Sequence, residues 1–248
     1  MILSKIQSFL FKFESIKWLK DKIRPIKHWL VGKNGIYKVM DEVAALHGGA
    51  NNVTTIFDVG AATGDYTIHF IKHFPNAIIY CFEPQPDSFL KLSKRTKPYS
   101  SRVKLYNFGL YNHAGPATFH VATYRDSSSL LDKGVGDTTD ITVDLMRLDD
   151  VVARDSIGKI DFMKIDTEGA ELGVINGGPM AFKDKVLSTY IEIQPQFKGY
   201  YSSDHIELFR SLHNFGFGFS GVFGDMGASK YDCESGLFTL NYLRAASP

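Results

Sequence analysis

The sequence predicts an α/β protein with a doubly wound, mostly parallel seven-stranded sheet whose last strand runs antiparallel. Three observations predict it. Near-continuous apolar runs alternate with helical stretches from residue 54 onward, the pattern of parallel strands covered on both faces. The last two β-rich runs, 217-FGFSGV-222 and 236-GLFTLNYL-243, are separated by too short a gap for a covering helix, so they form an antiparallel pair. The chain also leaves its first strand through 58-DVGAATG-64, a turn of small residues with a carboxylate at its rim.

In chain order, 1-MILSKIQSFLFKFESIKWLKDKIRPIKHWL-30 places Ile6, Phe9, Leu10, Phe13 and Ile16 at helical spacing between lysines. This segment carries net charge +5 within a chain of net +1, leaving about −4 for the rest. Lysines interrupt every run long enough for a membrane span, and no apolar core suited to a cleavable signal precedes a small-residue site. Two readings stand: an amphipathic helix on an anionic membrane surface, or a helix packed across the domain or on a second copy in a homo-oligomer. Pro25 ends or kinks this helix, and 36–48 forms another before Gly48-Gly49. Residues 1–50 are thus a helical extension, and 51–248 the main domain.

The strands of that domain are 54–60, 77–83, 103–110, 160–166 and 186–194, with helices at 65–74, 86–96, 169–176 and 203–215. Two further β-rich pieces, 117-ATFHVA-122 and 141-ITVDLMRL-148, read as an inserted hairpin with a loop at 123–140. The mildly acidic main domain argues against general binding to nucleic acid. Cys81 and Cys233 are too few for a disulfide framework and read as buried thiols of a reducing, cytoplasmic compartment; no Cys/His cluster has zinc spacing.

In a doubly wound sheet, ligands bind beyond the carboxyl ends of the strands at the switch point, which places Asp58 to Gly64 in the crevice. Gly60 and Gly64 let the backbone turn tightly and approach a ligand. Glu83 ends the second strand about 20 residues further on, where an acid accepts hydrogen bonds from ribose hydroxyls. The middle glycine of a dinucleotide fingerprint is absent from G-A-A-T-G, which disfavours a cradled pyrophosphate. A phosphate-free adenosine compound, S-adenosylmethionine, fits better, and the antiparallel finish favours the same choice. A nicotinamide-dependent oxidoreductase and a non-catalytic Rossmann-like binding module are the alternatives.

Six stretches resemble the FkbM family of S-adenosylmethionine-dependent methyltransferases: 57-FDVGAATGDYT-67, 82-FEPQPDSF-89, 103-VKLYNFGLYNHAGPATF-119, 127-SSSLL-131, Leu148-Asp149-Asp150 and 160-IDFMKIDTEGAELGVINGG-178. The last is the most specific, with Lys164, Asp166, Glu168, Gly169 and Glu171 in the family's pattern. The resemblance covers roughly residues 54–195. Ala62 and Thr63 stand where the family more often has Asn and an aliphatic residue. The resemblance implies a class I methyltransferase fold and O-methylation, often of sugar or polyketide hydroxyls. It also implies cofactor contacts from Asp58, Gly60, Ala61, Thr63, Gly64, Tyr66 and Thr67, from Glu83 on the ribose, from Asn107 at the adenine end, and from Asp166 at the methionine end.

Methyl transfer to a hydroxyl needs an aligned acceptor and a base, or a metal that stabilises the alkoxide. Asp166 and Glu168 follow the fourth strand, and Glu192 lies near the end of the fifth, so Glu168 or Glu192 is the candidate base. A divalent ion held by Asp166, Glu168 and Glu192 is the alternative. Glu168 also suits a helix N-terminus, and Glu171 suits a lysine pair. His113 and His205 are lesser candidates, and Ser127 to Ser129 supply hydroxyls to an acceptor pocket. The acceptor is a small molecule, a glycan, a glycolipid or lipid-linked sugar, or a secondary metabolite.

Overall fold

The computed structural model describes residues 36–122, 128–131, 138–193, 202–222 and 234–240. The expected N-terminal helix, the 123–127 and 132–137 parts of the hairpin loop, Gln194 and Cys233 lie outside these residues. A seven-stranded sheet has the order β3-β2-β1-β7-β8-β10-β9. Its strands are β1 (Thr55–Val59), β2 (Ile78–Phe82), β3 (Val103–Tyr106), β7 (Phe162–Ile165), β8 (Ser188–Ile193), β9 (Phe217–Val222) and β10 (Glu234–Leu240). β10 is antiparallel to both β8 and β9, while β1, β2, β3, β7 and β8 pair in parallel.

All four residues of β7 are buried, and four of five in β1, because helices cover both faces. One face carries Phe57, Val59, Met163 and Ile165 against α4 (Leu148–Arg154), α5 (Glu171–Asn176), α6 (Pro179–Asp184) and α7 (Ser202–Asn214). The other carries Ile56, Ile79 and Phe162 against α1 (36–46), α2 (Asp65–His73) and α3 (Pro86–Thr96). Strand side chains alternate, so Asp58 and Lys164 fall on the α2 side.

The inserted hairpin is present but larger than a hairpin. β5 (Gly115–Ala122) and β6 (Thr138–Met146) pair in register from Gly115–Leu145 to Ala122–Thr138, and β4 (Gly109–Leu110) adds a parallel strand to β6. The expected single strand over 103–110 therefore divides between two sheets. A Cβ on Gly109 would sit 2.8 Å from the end of the Leu145 side chain and 3.6 Å from Pro84, so the two sheets pass closely there.

Two short helices depart from the sequence reading. Leu148 opens α4 instead of closing a strand, burying Leu148, Val151 and Val152 at helical spacing. Pro179 starts α6, whose first free N–H groups reach Asp149: Met180 N donates to Oδ2 (3.2 Å) and Ala181 N to Oδ1 (2.8 Å). Between them α5 crosses the chain closely, since a Cβ on Gly177 would lie 2.0 Å from the Tyr111 carbonyl oxygen.

At the amino end of β7, Asp161 is fully buried. Its Oδ2 accepts from Thr54 N (2.7 Å), Thr54 Oγ1 (2.9 Å) and Thr55 N (3.1 Å), and Lys159 Nζ stands 2.7 Å from Oδ1. Burial alone would raise the Asp161 pKa, but Lys159 and the Thr54 donors together hold it below the usual carboxylate value. Cys81 is a buried thiol whose pKa burial pushes up.

Candidate active site

The carboxyl ends of β1, β2, β7 and β8 open into a cavity of about 390 Å³, within the range of small-molecule sites. Gly60, Ala61, Thr63, Tyr66, Glu83, Asp166, Glu168 and Glu192 line it, joined by Phe119 and Ala122 of β5 and by Ser128 and Leu130 of the β5–β6 connection.

After β1, Gly60 N and Ala61 N both donate to the Phe82 carbonyl, at 3.0 and 3.1 Å. Gly60 has φ +72°, and a Cβ there would lie 1.9 Å from the Asp166 carbonyl oxygen. Glycine is therefore demanded at this position by the chain leaving β7. Gly64, at φ +89°, begins α2 and leaves only 2.7 Å between its missing Cβ and Leu92. Ala62 also has positive φ, +46°, and points its N–H at the Glu83 carboxylate.

Glu83 is almost fully buried at the tip of β2. One carboxylate oxygen accepts from Ala62 N and the other from Gln85 N, each at 2.8 Å. Burial outweighs these two donors and raises the Glu83 pKa to about 7. Each oxygen retains a lone pair for a further donor. Asn107 lies beside this loop and outside the cavity wall; its Nδ2 donates to Glu83 O (2.9 Å) and Pro84 O (3.2 Å).

Asp58 and Thr67 lie beneath the wall. Thr67 Oγ1 donates to Asp58 Oδ2 at 2.6 Å, and Asp58 Oδ1 faces Lys164 Nζ at 3.5 Å. Lys164, known from the sequence only as part of the family's pattern, ties the site together. Its ammonium donates to Gly60 O (2.8 Å), pairs with Asp166 Oδ2 (3.1 Å) and sits 4.7 Å above the Tyr66 ring. Burial alone would lower its pKa, but Asp166 and Asp58 raise it, so Lys164 is charged. A lysine inside the apolar run 160-IDFMKID-166 was the available signal, since an ammonium buried in a central strand requires paired carboxylates.

Asp166, Glu168 and Glu192 each place a carboxylate oxygen within 4.8 Å of the others. Burial first, then Asp166 and Glu168, push the Glu192 pKa well above the ordinary carboxylate value; Asp166 and Glu192 share a hydrogen bond. Glu168 has φ +58°, a left-handed conformation uncommon outside glycine. Glu171 does not pair with a lysine: its buried Oε1 accepts from Thr167 N (2.9 Å), Thr167 Oγ1 (3.0 Å) and Gly169 N (3.0 Å), tying down the loop that carries Glu168.

His113 is exposed beside Asn112 and outside the wall, and the His205 side chain and Ser127 lie outside the described residues. Of the serines, Ser128 faces the cavity, while Ser129 is buried behind it.

Seven strands in this order, with β10 reversed between β8 and β9, define the class I methyltransferase fold, and the cavity lies at its switch point. Residues 58–219 match the Methyltransferase FkbM domain, and the chain belongs to that family. It is 28% identical over 153 residues to Methyltransferase sdnD of Sordaria araneosa, across 49% of this chain and 59% of that protein. It is 26% identical over 160 residues to 2-O-methyltransferase NoeI of Sinorhizobium fredii, across 58% of this chain and 65% of that protein. The chain thus spans less than two thirds of either relative. Among solved structures, the METTL16 MTase domain superposes with a TM-score of 0.52 at 12% identity, covering 84% of this chain and 67% of that one, a likeness of fold. No helix among the described residues is long and apolar enough to cross a membrane.

Proposed function

We propose that this protein is an S-adenosylmethionine-dependent methyltransferase acting on a hydroxyl of a small molecule, sugar, glycolipid or lipid-linked sugar. The observation that carries this reading is Glu83: a buried carboxylate fixed by two backbone N–H groups beside the Gly60 turn, each oxygen able to accept one ribose hydroxyl. No G-x-G turn cradles a pyrophosphate here, and the acid-rich wall opposes one. Membership of the FkbM family and the 2-O-methyltransferase relative support a hydroxyl acceptor.

Bound S-adenosylmethionine supplies a methyl group already activated on a sulfonium, so the chain's work is alignment, water exclusion and proton removal. Glu83 holds the ribose, and Asp166, anchored by Lys164, faces the methionine end. Glu192 is held protonated by its surroundings and donates toward Asp166, which leaves Glu168 to take the acceptor's proton. The three carboxylates also suit a hard divalent cation, and this second reading rests on their 4.8 Å spacing. Chelation separates the two: transfer that survives EDTA belongs to the carboxylate base, and transfer restored only by Mg²⁺ or Mn²⁺ belongs to the cation.

Calorimetry with S-adenosylhomocysteine and with NAD tests the cofactor. Micromolar binding of the first is expected, weakened roughly 10- to 100-fold by Glu83→Ala through loss of charge-assisted hydrogen bonds. Tight NAD binding without S-adenosylhomocysteine binding overturns the proposal. A one-methyl mass gain across a screen of sugar and lipid-linked alcohols identifies the acceptor.

A further inference from the structure

Three separate devices converge on the Glu168 backbone. Glu168 is left-handed at φ +58° and is followed by Gly169 at φ +108°, so the loop departs from ordinary conformations just where it carries a functional carboxylate. From below, Glu171 holds Thr167 and Gly169. From the side, the β5–β6 connection reaches across from the three-stranded sheet: Ser129, bridged to His120 of β5, donates its Oγ–H to the Glu168 carbonyl at 2.8 Å.

Ser129 is itself tightly determined. Its main chain exchanges two hydrogen bonds with His120 of β5, His120 N to Ser129 O at 2.8 Å and Ser129 N to His120 O at 3.0 Å. Its hydroxyl accepts from Leu131 N at 3.0 Å, and the side chain is 1% exposed. With that acceptor lobe occupied by Leu131, the single hydroxyl proton goes to the Glu168 carbonyl. β5 and this connection also put Phe119, Ser128 and Leu130 on the cavity wall.

We infer that Ser129 is a positioning residue: it clamps the left-handed Glu168 backbone and so sets the Glu168 carboxylate beside Asp166 and Glu192. The inserted sheet and the proton-accepting loop are thereby one mechanical unit, and an acceptor resting on Phe119 and Leu130 bears on the placement of Glu168. The inference builds on the proposed base role of Glu168.

Hydrogen exchange and turnover measured on the full chain test it. In Ser129→Ala, amide exchange across residues 166–171 is expected to speed at least about tenfold while S-adenosylhomocysteine affinity stays within about threefold. Turnover of the acceptor found in the screen is expected to fall at least about tenfold, because the Glu168 carboxylate loses its placement. Ser129→Thr, which keeps the hydroxyl, restores both. Unchanged exchange and unchanged turnover in Ser129→Ala overturn the inference, as does collapse of S-adenosylhomocysteine binding in both variants.

Should Ser129→Ala fold poorly, Glu168→Gly gives a second route, since it removes the backbone strain. Ser129→Ala then lowers Tm less in that background than alone, whereas equal losses overturn the clamp. Absence of S-adenosylhomocysteine binding by the wild type would defeat the proposed function and leave the exchange result to stand for the clamp alone.

Discussion

β7 carries an aspartate at each end, and the two live in opposite surroundings. Asp161, before the strand, is enclosed by donors and held ionised. Asp166, after the strand, has Lys164 on one side and the carboxyls of Glu168 and Glu192 on the other. At the first end local electrostatics favours the fold. At the second, three carboxyls crowd together, and burial with the neighbouring Asp166 raises the Glu192 pKa.

The largest test of this contrast is Glu168→Gln. Methyl transfer to the acceptor found in the screen falls roughly 10²- to 10⁴-fold, the usual worth of a general base, with little change in S-adenosylhomocysteine affinity. Turnover within about threefold of wild type would remove Glu168 as the base.

Asp161→Asn acts on the other end. Stranding buried donors costs about 3 kcal/mol, lowering Tm by roughly 6–12 °C, while cofactor affinity is unchanged. Its depressed pKa means the Asp161 contribution is present above the unfolded carboxylate value and lost as pH falls through the folded one. The Tm difference between wild type and variant therefore shrinks only below about pH 4. A loss of cofactor affinity with unchanged Tm would exchange the roles assigned to the two ends.

Glu83 sharpens the comparison through pH. Ribose hydroxyls prefer the carboxylate, and its pKa in the empty site is about 7, so S-adenosylhomocysteine affinity drops about tenfold per pH unit well below that value. In Glu83→Gln that slope disappears; a slope that persists assigns it elsewhere.

The smallest effect is on stability at Glu192. Its folded pKa is raised, so its contribution is present below the unfolded value and lost as pH rises through the folded one. Glu192→Gln is expected to hold or raise Tm above neutrality while impairing transfer. A lower Tm there would mean that the Asp166–Glu192 contact stabilises the fold.

Much of the sheet was legible because buried parallel strands are written as continuous apolar runs, and Phe217–Val222 matches its expected span in full. α4 and α6 were not legible, being helices of under two turns decided by packing and by the Asp149 cap. The break at Asn107–Phe108 was hidden inside one apolar run. In the site, the Gly60 turn and Glu83 were readable from spacing. The committed partners of Asp58, Thr67 and Asn107 were not, because those hydrogen bonds join residues on separate elements.

By itself the sequence determined the alternation of strands and helices, the antiparallel finish and the acid at the tip of β2, all of which follow from local periodicity and short spacing. Only the tertiary structure decided why position 60 must be glycine, what Lys164 neutralises and which hydroxyl grips Glu168. Those answers depend on groups far apart in the chain meeting closely, Ser129 with Glu168 and Lys164 with Gly60 and Asp58, and no local pattern records such a meeting.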